Sequence, residues 1–161
     1  MEKDIFTFAK MDQWAVLAPA LVDSMLPKNL QDDKGYTLLH YAAIHGNNDM
    51  IKLLVELGND LELPTFNGST ALHKAATFGQ LKAIDTLLEL GANLEAKTKN
   101  SDTPSFSSRS PLHEAAVEGH ADVIKLLLSH GADRLALTDA HQTAEELAQF
   151  YQHADAVAAF S

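Results

Sequence analysis

A chain of 161 residues that is 46% hydrophobic and 21% charged is long enough to bury one interior and too apolar to remain disordered. It has no cysteine, which excludes disulfides, thiolate zinc sites and cysteine nucleophiles together, and which fits a reducing compartment. The 12 basic residues against 22 acidic ones give a net charge of -10, a field that repels a phosphate backbone and argues against nucleic acid as the partner.

In chain order, the first ten residues set Glu2 and Asp4 beside Lys3 and lack the basic start and apolar run of a secretory signal. Trp14 to Val22 is the longest apolar stretch, but it contains Pro19 and is about half of the roughly 20 residues a transmembrane helix needs. Neither a membrane partner nor a membrane location is expected. A cytoplasmic protein is, with export to act in another cell not excluded. Pro19 is predicted to kink or split the second helix of this segment, because it lacks an amide and its ring clashes with the preceding turn.

Beyond residue 30 the sequence is periodic. Thr37, Leu39, His40, Ala42, Ala43, Gly46, Ile51, Leu54, Leu57, Gly58, Leu61 and Glu62 recur identically 33 residues later, from Thr70 to Glu95. A third copy (Leu112, His113, Ala115, Ala116, Gly119, Ile124, Leu127, Leu128, Gly131) follows after a shift of 40, so seven residues have been inserted between Thr98 and Ser110. Weaker copies flank these: Ala9 and Leu21 answer Ala42 and Leu54, while Asp155 and Phe160 answer Asp122 and Leu127. All eight glycines fall on turn or helix-end positions of the register.

Each copy predicts two short helices, in the first about Thr37 to His45 and Asp49 to Leu57. Helices of that length are marginal alone and should form only when stacked on their neighbours. The period therefore predicts an all-α stack of helix-turn-helix units with a shared interior. Its units are a degenerate N-terminal cap over 1–32, repeats over 33–65 and 66–98, a repeat with the insertion over 99–138, and a C-terminal cap over 139–161.

Thr70-Ala71-Leu72-His73, Ser110-Pro111-Leu112-His113 and Thr37-Leu38-Leu39-His40 resemble the Thr-Pro-Leu-His signature of the ankyrin-repeat family. Ala-Ala pairs and the Gly-Ala-Asn and Gly-Ala-Asp endings at Gly91 and Gly131 strengthen the likeness. The resemblance implies an ankyrin solenoid, and it implies that His40, His73 and His113 brace their turns. Three departures stand out: Ser108 and His141 occupy turn-glycine positions, so both turns are expected to be distorted, and Arg134 replaces an aliphatic residue.

The resemblance further implies a function. Ankyrin stacks bind partner proteins through a concave face of turn tips and first helices. By register that face is Asp33, Lys34, Tyr36, Tyr41, Ile44 and His45 in the first full repeat, and Phe66, Asn67, Ser69, Lys74, Thr77 and Phe78 in the second. In the third it is Arg109, Glu114, Val117 and Glu118, with Phe106 as an apolar tip on the inserted finger. Tyr41 and Phe78 have a competing place between repeats, and Asp32-Asp33 also suits plain turn chemistry.

No catalytic constellation is visible. A nucleophile with an oriented base is missing, Glu114 and Glu118 have the spacing of a solvated helix face, and the eight histidines lack metal-ligand spacing. No enzyme, cofactor or metal is expected, and His120 and His153 recur at one repeat position as structural residues. The expected function is a protein-protein interaction module, monomeric when unbound, for a protein partner. The alternatives are an inhibitor that holds an enzyme inactive, a self-associating structural protein, and an enzyme with a site in the inserted loop.

Overall fold

The computed structural model describes residues 2–23, 27–99 and 108–161, and among them there are ten helices and no strand. They form five pairs in chain order: α1 (Glu2–Lys10) with α2 (Trp14–Asp23), α3 (Leu38–His45) with α4 (Asn48–Glu56), α5 (Ala71–Thr77) with α6 (Leu81–Glu89), α7 (Pro111–Glu118) with α8 (Ala121–Ser129), and α9 (Ala144–Phe150) with α10 (Ala154–Ala158). The first helices α1, α3, α5, α7 and α9 pack each on the next, and α4, α6, α8 and α10 form a second layer behind them. Among the described residues no helix is long and apolar enough to cross a membrane.

The interior follows the period. Leu54, Leu87 and Leu127 are fully buried on α4, α6 and α8, and all three belong to one apolar cluster that also takes in Leu21 and Phe160 at the ends. The alanines at 42, 75, 115 and 148 are likewise inaccessible, and with no bulk beyond a methyl they let consecutive first helices approach closely. Each buried leucine is worth roughly 1.5–3 kcal/mol of transfer free energy, which is what holds together helices too short to persist alone.

Helix ends are set locally. Thr37, Thr70, Ser110 and Thr143 precede α3, α5, α7 and α9 in extended conformation, each forming a reciprocal capping box with the residue three places on. At the other end Gly119 takes φ 77°, and a Cβ there would sit 2.7 Å from the His153 ring of the next unit. Glycine is needed at that position for conformation and for space together.

Two local expectations are corrected. Helix α2 runs unbroken through Pro19, whose residue is exposed, so the ring sits on the outer side of the helix. The turn at His141 is also undistorted, and Ser108 keeps the left-handed conformation of the turn glycine it replaces. Ser108 and His141 adopt φ 65° and 58°, close to the 78° and 76° of Gly35 and Gly68, and their amides donate to Thr98 O and Thr138 O at 2.9 Å as the Gly68 amide does to Thr65 O at 2.8 Å. The repeat imposes the left-handed conformation on residues that disfavour it. His141→Gly should therefore raise the unfolding free energy by about 0.5–1 kcal/mol, the relief of strain outweighing the extra freedom of the unfolded glycine. A urea midpoint equal to or below that of the wild type would contradict this. Arg134, the third departure, donates to Glu145 Oε2 at 2.8 Å and lays its guanidinium 5.7 Å from the Phe160 ring centroid, covering the end of the apolar cluster.

Candidate functional site

Ahead of α3, α5, α7 and α9 the chain makes four hairpin turns of one design. Asp32 N–H donates to Tyr36 O, Thr65 N–H to Ser69 O, Thr98 N–H to Arg109 O and Thr138 N–H to Gln142 O, at 2.9, 2.9, 2.9 and 3.0 Å. The third closes across the insertion, so the base of this hairpin matches the other three. Neighbouring tips are joined as well: Phe66 N–H donates to Lys34 O and Lys99 N–H to Asn67 O, each at 3.3 Å. A Cβ on Gly68 would run into the Lys99 amide, which is why that tip carries glycine.

Buried histidines fix these hairpins to the helices. The Thr37 amide and hydroxyl donate to His40 Nδ1 at 3.1 and 2.8 Å, and His40 Nε2–H donates to Ser69 O of the next repeat at 2.9 Å. A carbonyl oxygen only accepts, so Nε2 carries the proton and the ring is neutral. His73 repeats the pattern onto Arg109 O at 2.9 Å, and His113 onto Ala136 O and Gln142 O at 3.1 and 3.3 Å. Burial is the main reason that the pKa values of His40 and His73 fall to about 4, and it lowers that of His113 too. In the last unit Glu146 completes the box, its Oε2 accepting from Thr143 N–H at 2.8 Å, but a carboxylate has no donor with which to reach further.

A second set of bridges went unread in the sequence as a set. Gln80 Nε2–H donates to Ile44 O, His120 Nε2–H to Thr77 O and His153 Nε2–H to Val117 O, at 2.7, 2.8 and 2.8 Å. These satisfy carbonyls left over at the ends of α3, α5 and α7. The signal that would have found Gln80 is its register position, which His120 and His153 share.

The face presented by the tips and first helices is partly filled by its own contacts. Tyr41, expected to be displayed, is 8% exposed. Its hydroxyl donates to Asp32 Oδ2 at 2.6 Å and its ring lies 6.4 Å from that of Phe6 on α1. Asp32 Oδ1 accepts from the Lys34 and Tyr36 amides, and Lys10 Nζ stands 3.2 Å from Oδ2. Burial works to raise the Asp32 pKa, but the Tyr41, Lys34, Tyr36 and Lys10 hydrogen bonds together hold it below the usual value. Ser69 is buried too, with its carbonyl committed to His40.

The remaining residues fall into two groups. Asp33, Lys34, Phe66, Asn67, Phe78 and Glu118 are exposed, Phe66 at 69% and Phe78 at 52%. Tyr36, Ile44, His45, Lys74, Thr77, Arg109, Glu114 and Val117 are half-buried. Tyr36 stacks on Tyr41 at 5.4 Å, and Lys74 Nζ lies 5.0 Å over the Tyr36 ring. Glu114 departs from the solvated-face expectation: it is half-buried and faces Arg109 Nη1 at 3.7 Å. Its pKa is raised, burial outweighing the opposing pull of Arg109 and Lys74. Phe106 lies outside the described residues. Lys10 and Phe6 of α1 belong to this face and were missed. They border a recess of about 460 Å³ with Thr7, Leu30, Gln31, Asp32 and Asp33.

Residues 14–98 match the family model described as Ankyrin repeats (3 copies), and residues 108–139 match the one described as Ankyrin repeat. The first match alone spans more than half of the chain. The chain belongs to the ankyrin-repeat family. Over 47 residues, 29% of this chain, it is 39% identical to the "Ankyrin repeat-containing protein P1E11.10" of Schizosaccharomyces pombe, and the match spans 23% of that protein's length. Ankyrin repeats are in general protein-protein interaction modules, and the all-α stack with its row of hairpin tips is the architecture of the family. Among the described residues no three histidine, aspartate or glutamate side chains gather as a metal-ligand set.

Proposed function

We propose that this ankyrin stack binds a partner protein through the concave face formed by its hairpin tips and first helices. The observation that carries the reading is the pair of exposed phenylalanines, Phe66 at a hairpin tip and Phe78 at the end of α5, set among Lys34, Asn67, Lys74 and Glu118 on a backbone tied from repeat to repeat. Exposed aromatic rings make strong anchors because they bury much area with few rotors to freeze. A preformed face also loses little entropy on docking. Tyr41 and Ser69 act in this reading from beneath, positioning the displayed residues, and the displayed set is centred on the first two full repeats.

The test is substitution of the face without loss of fold. Lys74→Glu combined with Tyr36→Ala and Phe78→Ala should weaken capture of the partner roughly tenfold or more while the far-ultraviolet circular dichroism stays helical. Capture unchanged by the triple substitution rejects the face.

A further inference from the structure

Three adjacent hairpins carry an exposed phenylalanine with an exposed lysine on the hairpin to either side. Phe66, 69% exposed, is bonded through its amide to the carbonyl of Lys34 on one side, and Asn67 accepts from the amide of Lys99 on the other. Both lysines are exposed, and on the described parts of these three tips Asp33 is the one opposing exposed charge. Asp32 beside it is neutralised by Lys10 and by its hydrogen bonds, and Glu114 by Arg109. In a chain of net charge -10 the described residues of this row are thus basic and apolar at once.

We propose that this row is the subsite for an extended acidic segment of the partner protein, one apolar side chain seated on Phe66 and flanking carboxylates on Lys34 and Lys99. The proposal rests on the concave-face reading and specifies the chemistry of its partner. Backbones joined by a hydrogen bond lie about 5 Å apart, so Lys34 and Lys99 are separated by roughly 10–14 Å along the row. An extended peptide rises about 3.3 Å per residue, which puts the two carboxylates three or four positions apart with the apolar residue between them. Complementary charge across so exposed a site sets orientation and speeds encounter, and the ring supplies burial. A polyanion such as single-stranded nucleic acid would also find cations and a stacking ring here, but it meets the acidic remainder of the chain over its whole length.

The probes are a fluorescein-labelled peptide carrying Glu-Ser-Leu-Ser-Glu between Gly-Ser flanks, its counterpart with lysine for glutamate, and an oligothymidylate, each followed by fluorescence polarisation at low salt. The acidic peptide should bind, and the lysine peptide and the oligothymidylate should not. Lys34→Glu with Lys99→Glu should weaken binding of the acidic peptide by roughly tenfold or more, Phe66→Ala by a smaller factor, and added salt should weaken it in the wild type. Thermal melts that match the wild type show that the variants remain folded. Absence of acidic-peptide binding, equal binding of the lysine peptide, preference for the oligothymidylate, or indifference to the lysine substitutions overturns the proposal. Partner capture that survives the two lysine substitutions but not the Tyr36, Lys74 and Phe78 triple overturns it and leaves the face reading standing; capture that survives both sets overturns both.

Discussion

Leu87→Ala is expected to lower the unfolding free energy by about 2–5 kcal/mol, a large share of the roughly 5–15 kcal/mol that keeps a domain folded. Leu87 is fully inaccessible on α6, between α4 and α8, and it shares one apolar cluster with Leu54 and Leu127. Truncation removes transfer free energy and leaves a cavity. The neighbouring repeats cannot close it by sliding inward, since Ala75 and Ala76 already bring the first helices into contact. Urea denaturation followed by circular dichroism should show the loss, while exposed Lys82→Ala on the same helix should move the midpoint by no more than about 0.5 kcal/mol. A cost for Leu87→Ala no larger than that of Lys82→Ala would mean that α6 is not part of a shared interior.

Acid should unfold the stack well above the carboxylate range. His40 and His73 titrate near 4 when folded against an ordinary value of 6.5, chiefly through burial, with Lys74 adding to the depression in both and Asp32 opposing it at His40. His113 is displaced in the same direction, with Lys97 and Arg109 adding to burial. The unfolded chain therefore binds more protons between the two values. The stabilisation is complete above about pH 6.5, falls away as the pH drops towards 4, and amounts to roughly 3 kcal/mol for each of His40 and His73. Geometry gives the same sign, because a second proton on Nδ1 would point at the Thr37 or Thr70 amide hydrogen that Nδ1 now accepts. Glu114 runs the opposite way: its raised pKa favours the folded chain as the pH falls, one carboxyl against three imidazoles. The melting temperature should drop steeply from pH 7 to pH 4.5, and a flat profile over that interval would contradict the neutral-histidine account.

The repeat register was legible because identical residues at a spacing of 33 report positions in one structure, and it located the seam and the helix starts to within about a residue. Local rules failed where neighbours override them. Ser108 and His141 were expected to distort their turns because a side chain disfavours positive φ, yet hairpin bonds on both sides determine the conformation. Pro19 was expected to kink or split α2, and the split is absent: its residue is exposed and the buried residues Trp14, Leu17 and Leu21 of the same helix hold the backbone.

The face was less legible than the stack. Register alone put Tyr41 in the open, while burial of its ring comes from Phe6 and its hydroxyl bond from Asp32, which in turn is held by Lys10. Phe6 and Lys10 belong to α1, whose sequence carries only a weak copy of the period. The Arg109–Glu114 pair is hidden for a related reason: Arg109 stands at the end of the insertion, and register puts both residues on the face without showing that they pair.

The most direct test of the stacked interior uses the single tryptophan. Trp14 lies in the first helix pair, 4% exposed, and Leu127 lies in the fourth, fully buried. In Leu127→Ala, urea unfolding should be followed by Trp14 fluorescence and by circular dichroism together. If the units support one another through one seam, the fluorescence transition moves to lower urea and coincides with the helical one. A fluorescence midpoint that stays at the wild-type value while helix is lost earlier would contradict the account.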